Sequence, residues 1–227
     1  MSGTEQKWVT FDCYGTLLDW QSGFRAILHP VAGDRTDELI ESYHDVEIEV
    51  EMENLTAPYK DVLTESLTRG AAAIGLHLSE PDRSSLVRHW DQIGLYPDTI
   101  PALDALHADG WELGILTNCD DDLFAATQAK LHLPIDLVIT AQQVRSYKPA
   151  LGHFLEFERQ TGVDRSRWIH AAVAWRHDML PARELGLDRV WVDRERSGDD
   201  DSVVTAHIYD MASLPEATRE ISSRWAQ

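Results

Sequence analysis

Asp12 is the residue in this sequence whose type and setting most clearly permit covalent chemistry. It ends the apolar run of Trp8, Val9 and Phe11 and precedes a turn at Gly15. A carboxylate at the carboxyl end of an early strand lies where open α/β sheets bind ligands. Backbone N–H groups there can hold it ready for nucleophilic attack. The alternative is that Asp12 only caps the next turn, where aspartate is common.

Three later polar sites follow or precede segments with strand character. Thr117 and Asn118 end one apolar run, and Lys148 stands in a Tyr-Lys-Pro sequence after another. Asp178 stands at the head of the segment that leads to the last strand predicted. Thr117, Asn118 and Asp178 have a second interpretation as helix caps. Lys148 has a second interpretation as an ordinary solvated lysine.

The elements that must position these residues fall into two regions. Residues 1–19 and 97–227 alternate short β-like runs with helical stretches, which is typical of a parallel sheet with helices on both faces. Residues 20–96 carry apolar side chains at helical spacing and almost no strand signal. We therefore predict a core formed by 1–19 and 97–227 and a helical cap formed by 20–96. The predicted strands are Trp8–Phe11, Leu113–Leu116, Leu137–Thr140, Trp168–Ala172 and Arg189–Val192.

The order of aspartate, Thr-Asn, Lys-Pro and aspartate resembles the haloacid dehalogenase superfamily of hydrolases, and most closely its 2-haloacid dehalogenase branch. The specific matches are Asp-Cys-Tyr-Gly-Thr-Leu-Leu-Asp, from Asp12 to Asp19, and the stretch 136–149. The fourth motif, around Asp178, is a weaker match. The resemblance covers nearly the whole chain. It implies an α/β fold with a Rossmann-like parallel-sheet core and an inserted helical cap.

The resemblance also implies a covalent mechanism. In it, Asp12 attacks the substrate and Thr16 holds the attacking carboxylate. Lys148 keeps that carboxylate ionised, and Asp178 anchors Lys148 or orients the hydrolytic water. The predicted catalytic residues are Asp12, Lys148 and Asp178.

Substrate binding is where this sequence departs from the family it resembles. Members of the 2-haloacid branch carry an early-cap arginine that clamps the substrate carboxylate, and the corresponding segment 38–47 has none. Arg25 is a candidate substitute or a solvated helix residue. A larger or aromatic group could stack on Tyr14, Trp20 or Trp175, although ordinary packing is the alternative for each. The predicted substrate-binding residues are Tyr14, Thr16, Trp20, Arg25, Thr117, Asn118 and Trp175.

Tyr14 separates two chemistries. Phosphatases of the superfamily place an aspartate there as general acid and carry an acid pair at the fourth motif, where this sequence has Val173. Asp12 and Asp178 alone would hold Mg²⁺ weakly, since this ion prefers several hard oxygen ligands. We therefore expect metal-free cleavage of a carbon–halogen bond of a small organic acid. A Mg²⁺-dependent small-molecule phosphatase and a degraded binding protein that keeps the fold are the alternatives.

Composition limits the partners. The chain has 227 residues, 43% of them hydrophobic, and a net charge of −19, which argues against nucleic acid and anionic membranes. We interpret the acidic segment 34–53 as a solvated helix face. An anionic substrate would need local positive charge. We expect a cytoplasmic enzyme with a small-molecule substrate, and a homodimer is left open. The candidate cations are Arg25, Arg145, Lys148 and Arg176.

Overall fold

The core of the molecule is a six-stranded, wholly parallel sheet in the order β3-β2-β1-β4-β5-β6. The computed structural model describes residues 6–197 and 201–225. The five predicted strands are confirmed; β2 is one residue longer at each end than predicted, and β5 is one residue longer at its start. The prediction missed β6, which has only three residues, one of them buried. The strands are β1 (Trp8–Phe11), β2 (Glu112–Thr117), β3 (Leu137–Thr140), β4 (Trp168–Ala172), β5 (Asp188–Val192) and β6 (Ala206–Ile208).

Helices cover the sheet and fill the long connection between β1 and β2. None of the helices in the described ranges has the length and apolar character needed to cross a membrane. The α-helices are α1 (Trp20–Ala32), α2 (Thr36–Glu53), α3 (Tyr59–Ala73), α4 (Ser85–Arg88), α5 (Thr99–Ala108), α6 (Asp121–Gln128), α7 (Ala141–Val144), α8 (Gly152–Thr161), α9 (Leu180–Glu184) and α10 (Leu214–Ser222). A π-helix spans Trp175–Met179, and 3₁₀ turns span Gly33–Arg35, Asp82–Ser84, Trp90–Gln92, Arg165–Arg167, Asp201–Val203 and Met211–Ser213.

The strand order places the centre of the sheet at β1 and β4. The chain adds β2 and β3 on one side of β1, then crosses over to add β4, β5 and β6 on the other. Every residue of β1 and β4 is buried, which explains their largely apolar sequences. Residues that follow β1, β2 and β4 therefore meet at one edge, at the point where open sheets bind ligands.

Residues 20–96, all of which the structure describes, form helices α1 to α4 with short 3₁₀ turns between them. Helices α2 and α3 approach closely at Gly70, where an added Cβ would lie 2.9 Å from the backbone nitrogen of Tyr43. The Ser42 hydroxyl also donates to the Gly70 carbonyl at 2.9 Å. This close pair brings one face of α2 over the carboxyl edge of the sheet, beside Asp12.

Candidate active site

Asp12 directly follows β1 and is held on both carboxylate oxygens. Its Oδ1 accepts from Lys148 Nζ at 2.8 Å and its Oδ2 accepts from Thr16 Oγ1 at 3.1 Å. Gly15 has a φ of 99°, and a Cβ there would lie 3.0 Å from the indole nitrogen of Trp20. Only glycine meets both conditions without strain. The turn therefore brings Thr16 back to the carboxylate that precedes it.

Lys148 is the buried cation of the site. Its side chain is 1% exposed, and its ammonium donates to Asp12 Oδ1 at 2.8 Å, Asp178 Oδ1 at 2.7 Å and the Leu116 carbonyl at 2.8 Å. These three bonds use all the donors of the group. Asn118 fixes the backbone on which Lys148 sits, since its amide accepts from the Lys148 N–H at 2.7 Å and donates to the Lys148 carbonyl at 3.1 Å.

A buried chain of hydrogen bonds supports Asp178 from behind. His170 Nε2 lies 2.9 Å from Asp178 Oδ1, and His170 Nδ1 lies 2.8 Å from the Thr10 hydroxyl. Trp168 Nε1 donates to the Thr10 hydroxyl at 2.7 Å, so this hydroxyl donates its own proton to His170 Nδ1. His170 then carries its proton on Nε2 and donates it to Asp178. His170 is not among the predicted site residues, because a histidine inside an apolar strand carries no signal of its own.

The charges of the three central groups are strongly coupled. Burial raises the pKa of Asp178, but Lys148 and His170 outweigh burial and lower it to about 2. Burial also raises the pKa of Asp12, and the Lys148 ammonium opposes that rise. Burial lowers the pKa of Lys148, yet the two carboxylates raise it above its ordinary value. At neutral pH the site therefore holds a permanent ammonium between two acidic groups.

The site opens into a cavity of about 240 Å³ beneath the helical segment. Asp12, Thr117, Asn118, Lys148 and Asp178 line its floor. The interpretation of segment 34–53 as a solvated face is wrong for two of its acids, because Glu51 is only 8% exposed and the Glu47 side chain 19%. Their spacing of four residues puts both on one face of α2, a signal that the sequence did contain. The wall formed by helices α1 and α2, by α3 and by the turn after α4 comprises Trp20, Phe24, His44, Glu47, Ile48, Glu51, Tyr59 and Trp90.

Several predicted substrate-binding residues reach the cavity, but their polar atoms are already bonded. Tyr14 accepts from Trp90 Nε1 at 2.7 Å and shares a 2.8 Å hydrogen bond with Thr127. Burial raises the pKa of the Tyr14 hydroxyl well above its ordinary value, so it stays neutral. The Thr117 hydroxyl points to the sulfur of Cys119 at 3.6 Å. The alternative interpretation of Thr117, Asn118 and Asp178 as helix caps is wrong, because Asp120 precedes α6 and Met179 precedes α9.

Three predicted substrate-binding residues do not line the cavity. One is Thr16, whose hydroxyl donates to Asp12, and the other two are Arg25 and Trp175. The Arg25 side chain is 57% exposed and pairs with Asp37 at 2.8 Å, so α1 turns it toward solvent. Trp175 packs edge-on against Trp191, with ring centroids 5.0 Å apart. The π-helix directs Ala174 rather than Trp175 into the cavity. Neither Arg25 nor Trp175 is placed to contact a ligand beside Asp12.

The donor set does not fit a magnesium ion. The Lys148 ammonium already binds Asp12 Oδ1 and Asp178 Oδ1. Val173, in the place of a further acid, has its N–H bonded to Thr16 and its carbonyl bonded to Trp191. Within residues 6–197 and 201–225, no group of three His, Cys, Asp or Glu side chains is arranged to hold a metal. We therefore derive no step through a metal.

The family model of haloacid dehalogenase-like hydrolases matches residues 6–171, and the chain belongs to this family. It is therefore a hydrolytic enzyme, with the parallel-sheet fold predicted from the motifs. One relative, (S)-2-haloacid dehalogenase 1 of Pseudomonas sp. (strain CBS-3), is 28% identical over 61% of this chain and 63% of its own length. The chain thus spans just under two thirds of that relative.

Two further comparisons extend over most of the chain. (S)-2-haloacid dehalogenase 4A of Burkholderia cepacia is 24% identical over 95% of this chain and 91% of its own length. The structure of L-2-haloacid dehalogenase from Xanthobacter autotrophicus with chloropropionic acid covalently bound is 21% identical, with a TM-score of 0.81. The structural match covers 94% of this chain and 98% of the Xanthobacter autotrophicus enzyme chain. At this identity the structural likeness concerns the fold.

Proposed function

We propose that this hydrolase uses Asp12 as a nucleophile to cleave a carbon–halogen bond of a small organic acid, without a metal. The observation that carries the proposal is the Asp12 carboxylate itself. It faces a cavity large enough for a small molecule, bound by Lys148 on one oxygen and Thr16 on the other. A nucleophile held in this way loses little freedom when it reacts. The names of the relatives point to the same reaction.

The chemistry balances with this chain's own groups. An Asp12 oxygen forms a bond to the carbon as the halide departs with the bonding electrons, which requires no general acid. Water then attacks the Asp12 carboxyl carbon, and Asp12 keeps the oxygen of that water. One water proton passes to the departing alkoxide, so that the product leaves as an alcohol, and the other proton passes to solvent. Asp178 lines the cavity, and its buried Oδ2 accepts no hydrogen bond from a described residue, so this oxygen is free to orient that water. Because the pKa of Asp178 is low, its carboxylate is better suited to orienting the water than to removing a proton from it.

Phosphate-ester hydrolysis fits these residues less well. A phosphatase must protonate a poor leaving group, and the hydroxyl of Tyr14 is committed to Trp90 and Thr127. The halide needs no such donor. The observed geometry also disfavours a degraded site, since the bonds among Asp12, Lys148 and Asp178 are intact.

The proposal is tested by isotope labelling and one matched pair of variants. Turnover of 2-chloropropionate in H₂¹⁸O should place ¹⁸O in the peptide that contains Asp12, because water attacks the enzyme ester. Asp12→Asn should lower halide release at least about 10³-fold, as loss of a nucleophile does. Asp19→Asn is the control, since Asp19 caps α1 through the Ser22 N–H and asparagine caps as well.

Three results would count against the proposal. Label in the product alone would mean direct attack of water on the substrate. Activity of Asp12→Asn above a few per cent of the wild-type value, with deamidation excluded by intact mass, would mean that Asp12 is not the nucleophile. Release of phosphate from p-nitrophenyl phosphate that EDTA abolishes and Mg²⁺ restores would make the protein a phosphatase.

A further inference from the structure

Glu47 places a fixed negative charge on the cap side of the cavity. Its Oε1 accepts from the Tyr43 hydroxyl at 2.6 Å and the Tyr59 hydroxyl at 2.8 Å, and its Oε2 lies 3.3 Å from His44 Nδ1. Burial raises the pKa of Glu47, but His44 first, and then the hydrogen bonds from Tyr43 and Tyr59, outweigh burial and lower it. Glu47 is therefore ionised at neutral pH, inside the wall that faces Asp12.

Glu51 stands one helical turn further along α2 and has no such support. It is 8% exposed, lines the cavity, and accepts no hydrogen bond from any residue in the described ranges. Burial and the charge of Glu47 raise its pKa to about 8, against the weaker opposing effects of Lys148 and Arg176. A buried carboxylate without a partner is costly unless a ligand completes it.

The cavity offers an anionic substrate no arginine and no lysine with a free donor. Two histidines also line it: His44 lies 3.3 Å from Glu47, and burial lowers the pKa of His177. Of the four candidate cations in the sequence, Lys148 alone lines the cavity, and all its donors are used. None of the described side chains that line it is an arginine. The three acids Asp12, Asp178 and Glu47 thus face one ammonium and one histidine, which is already paired with Glu47, and a substrate carboxylate at the cap end would be repelled.

The rest of the cap wall suits a cation. Trp20, Phe24, Tyr59 and Trp90 all line the cavity. Their rings pack edge to face, with centroids 5.5 Å apart for Trp20 and Phe24 and 5.9 Å apart for Tyr59 and Trp90. Aromatic faces attract cations, and they do so more strongly where water is excluded. Carboxylates beside aromatic rings are the side chains that recognise an ammonium group.

We infer that the cap end of this cavity binds an ammonium group on Glu47 and Glu51, so that the substrate is an amino-bearing alkyl electrophile. The inference rests on the proposed function, in which Asp12 attacks the carbon at the other end of the cavity. The reaction is unchanged, since the ammonium takes part in binding only. A halogenated acid that also carries an amine meets both requirements.

A binding experiment without turnover tests this inference separately from the proposed function. The probes are n-butylammonium chloride and sodium butyrate, titrated into the protein at pH 8.5 in 0.15 M NaCl. Binding is followed by tryptophan fluorescence, because Trp20 and Trp90 line the cavity. The salt screens the net charge of −19, which would otherwise attract any cation. At this pH Glu51 is largely ionised and an alkylamine remains protonated.

We expect butylammonium to bind at least tenfold more tightly than butyrate. Glu51→Gln should weaken butylammonium at least tenfold, and Glu47→Gln should also weaken it. Glu49→Gln, on the exposed face of the same helix, should leave the dissociation constant unchanged. Butyrate binding as tightly as butylammonium in the wild type would overturn the inference without any variant. So would unchanged butylammonium affinity in both cavity variants, whose folding is checked by circular dichroism.

The two proposals fail in different ways. Preference for butylammonium, together with turnover of 4-amino-2-chlorobutyrate in H₂¹⁸O that leaves Asp12 unlabelled, would overturn the proposed chemistry and leave the cation site standing. Labelling at Asp12 together with preference for butyrate would support the proposed chemistry and overturn the cation site.

Discussion

Replacing Lys148 with methionine should be costly for stability as well as for turnover. The ammonium is 1% exposed and binds two buried carboxylates and one carbonyl, each at 2.7–2.8 Å. Removing one partner of a buried ion pair costs about 3–5 kcal/mol, because the other charge is left without compensation. Lys148→Met leaves the buried carboxylates of Asp12 and Asp178 without a compensating cation. We therefore expect a loss near 5 kcal/mol in the free energy of unfolding at pH 7.5, the upper part of that range.

The loss should shrink as the pH falls. Without Lys148, the two carboxylates have folded-state pKa values above their unfolded values, so their cost is present at high pH and disappears when they protonate. Urea unfolding at pH 7.5 and pH 5.0 measures this difference. Lys60→Met is the matched control, since Lys60 pairs with Asp122 at the surface, where the side chains are 36% and 66% exposed. That pair should contribute about 0.2–1 kcal/mol.

The reasoning would be refuted if Lys148→Met destabilised the protein no more than Lys60→Met. It would also be refuted if the difference between the two variants were the same at both pH values. In the absence of urea, Lys148→Met should release no halide. Circular dichroism under the same conditions reports how much of the variant is folded. A folded, fully active variant would remove Lys148 from the mechanism.

Two further predictions follow from charges at the site. Halide release should survive EDTA, because the donors around Asp12 and Asp178 do not suit a metal; inhibition that Mg²⁺ reverses would contradict this. The free energy of unfolding should fall as pH rises from 5 to 8, because the folded pKa of Glu51 is about 8 against an ordinary 4.5. At about 1.4 kcal/mol per pKa unit the total is on the order of 4 kcal/mol. Urea unfolding should show this slope in Glu49→Gln and not in Glu51→Gln.

The sheet and the side chains that meet at its carboxyl edge were predictable from the sequence for a physical reason. Asp12, Asn118 and Lys148 follow apolar strand segments, and the carboxyl ends of parallel strands meet at one edge, so position along the chain implies position in space. The hydrogen bond from His170 to Asp178 was not predictable, because it joins the interior of a strand to a helix that follows it. The catalytic roles, the cap boundaries, a homodimer and a cytoplasmic location stay predictions.

The cap was less predictable because the same pattern serves two environments. Acids four residues apart on α2 are what a solvated helix face shows, and also what a buried face shows when it lies over a polar cavity. Only the packing of α2 against α3 at Gly70 decides which face turns inward. Arg25 illustrates the converse, since α1 presents it to solvent, where it pairs with Asp37.

The division of charge between the two walls of the cavity separates reaction from recognition. On the floor, Lys148 binds both Asp12 and Asp178, so the groups that would react need no further counter-ion. On the cap side, His44 and the two tyrosines hold Glu47 ionised. Burial and the charge of Glu47 instead raise the pKa of Glu51 to about 8, so Glu51 keeps its proton near neutrality. A ligand that brought an ammonium to Glu51 would lower that pKa and release the proton. A ligand that brought a carboxylate would raise the pKa further and gain nothing from the cap. The floor can therefore retain the chemistry of the family while the cap selects a different substrate.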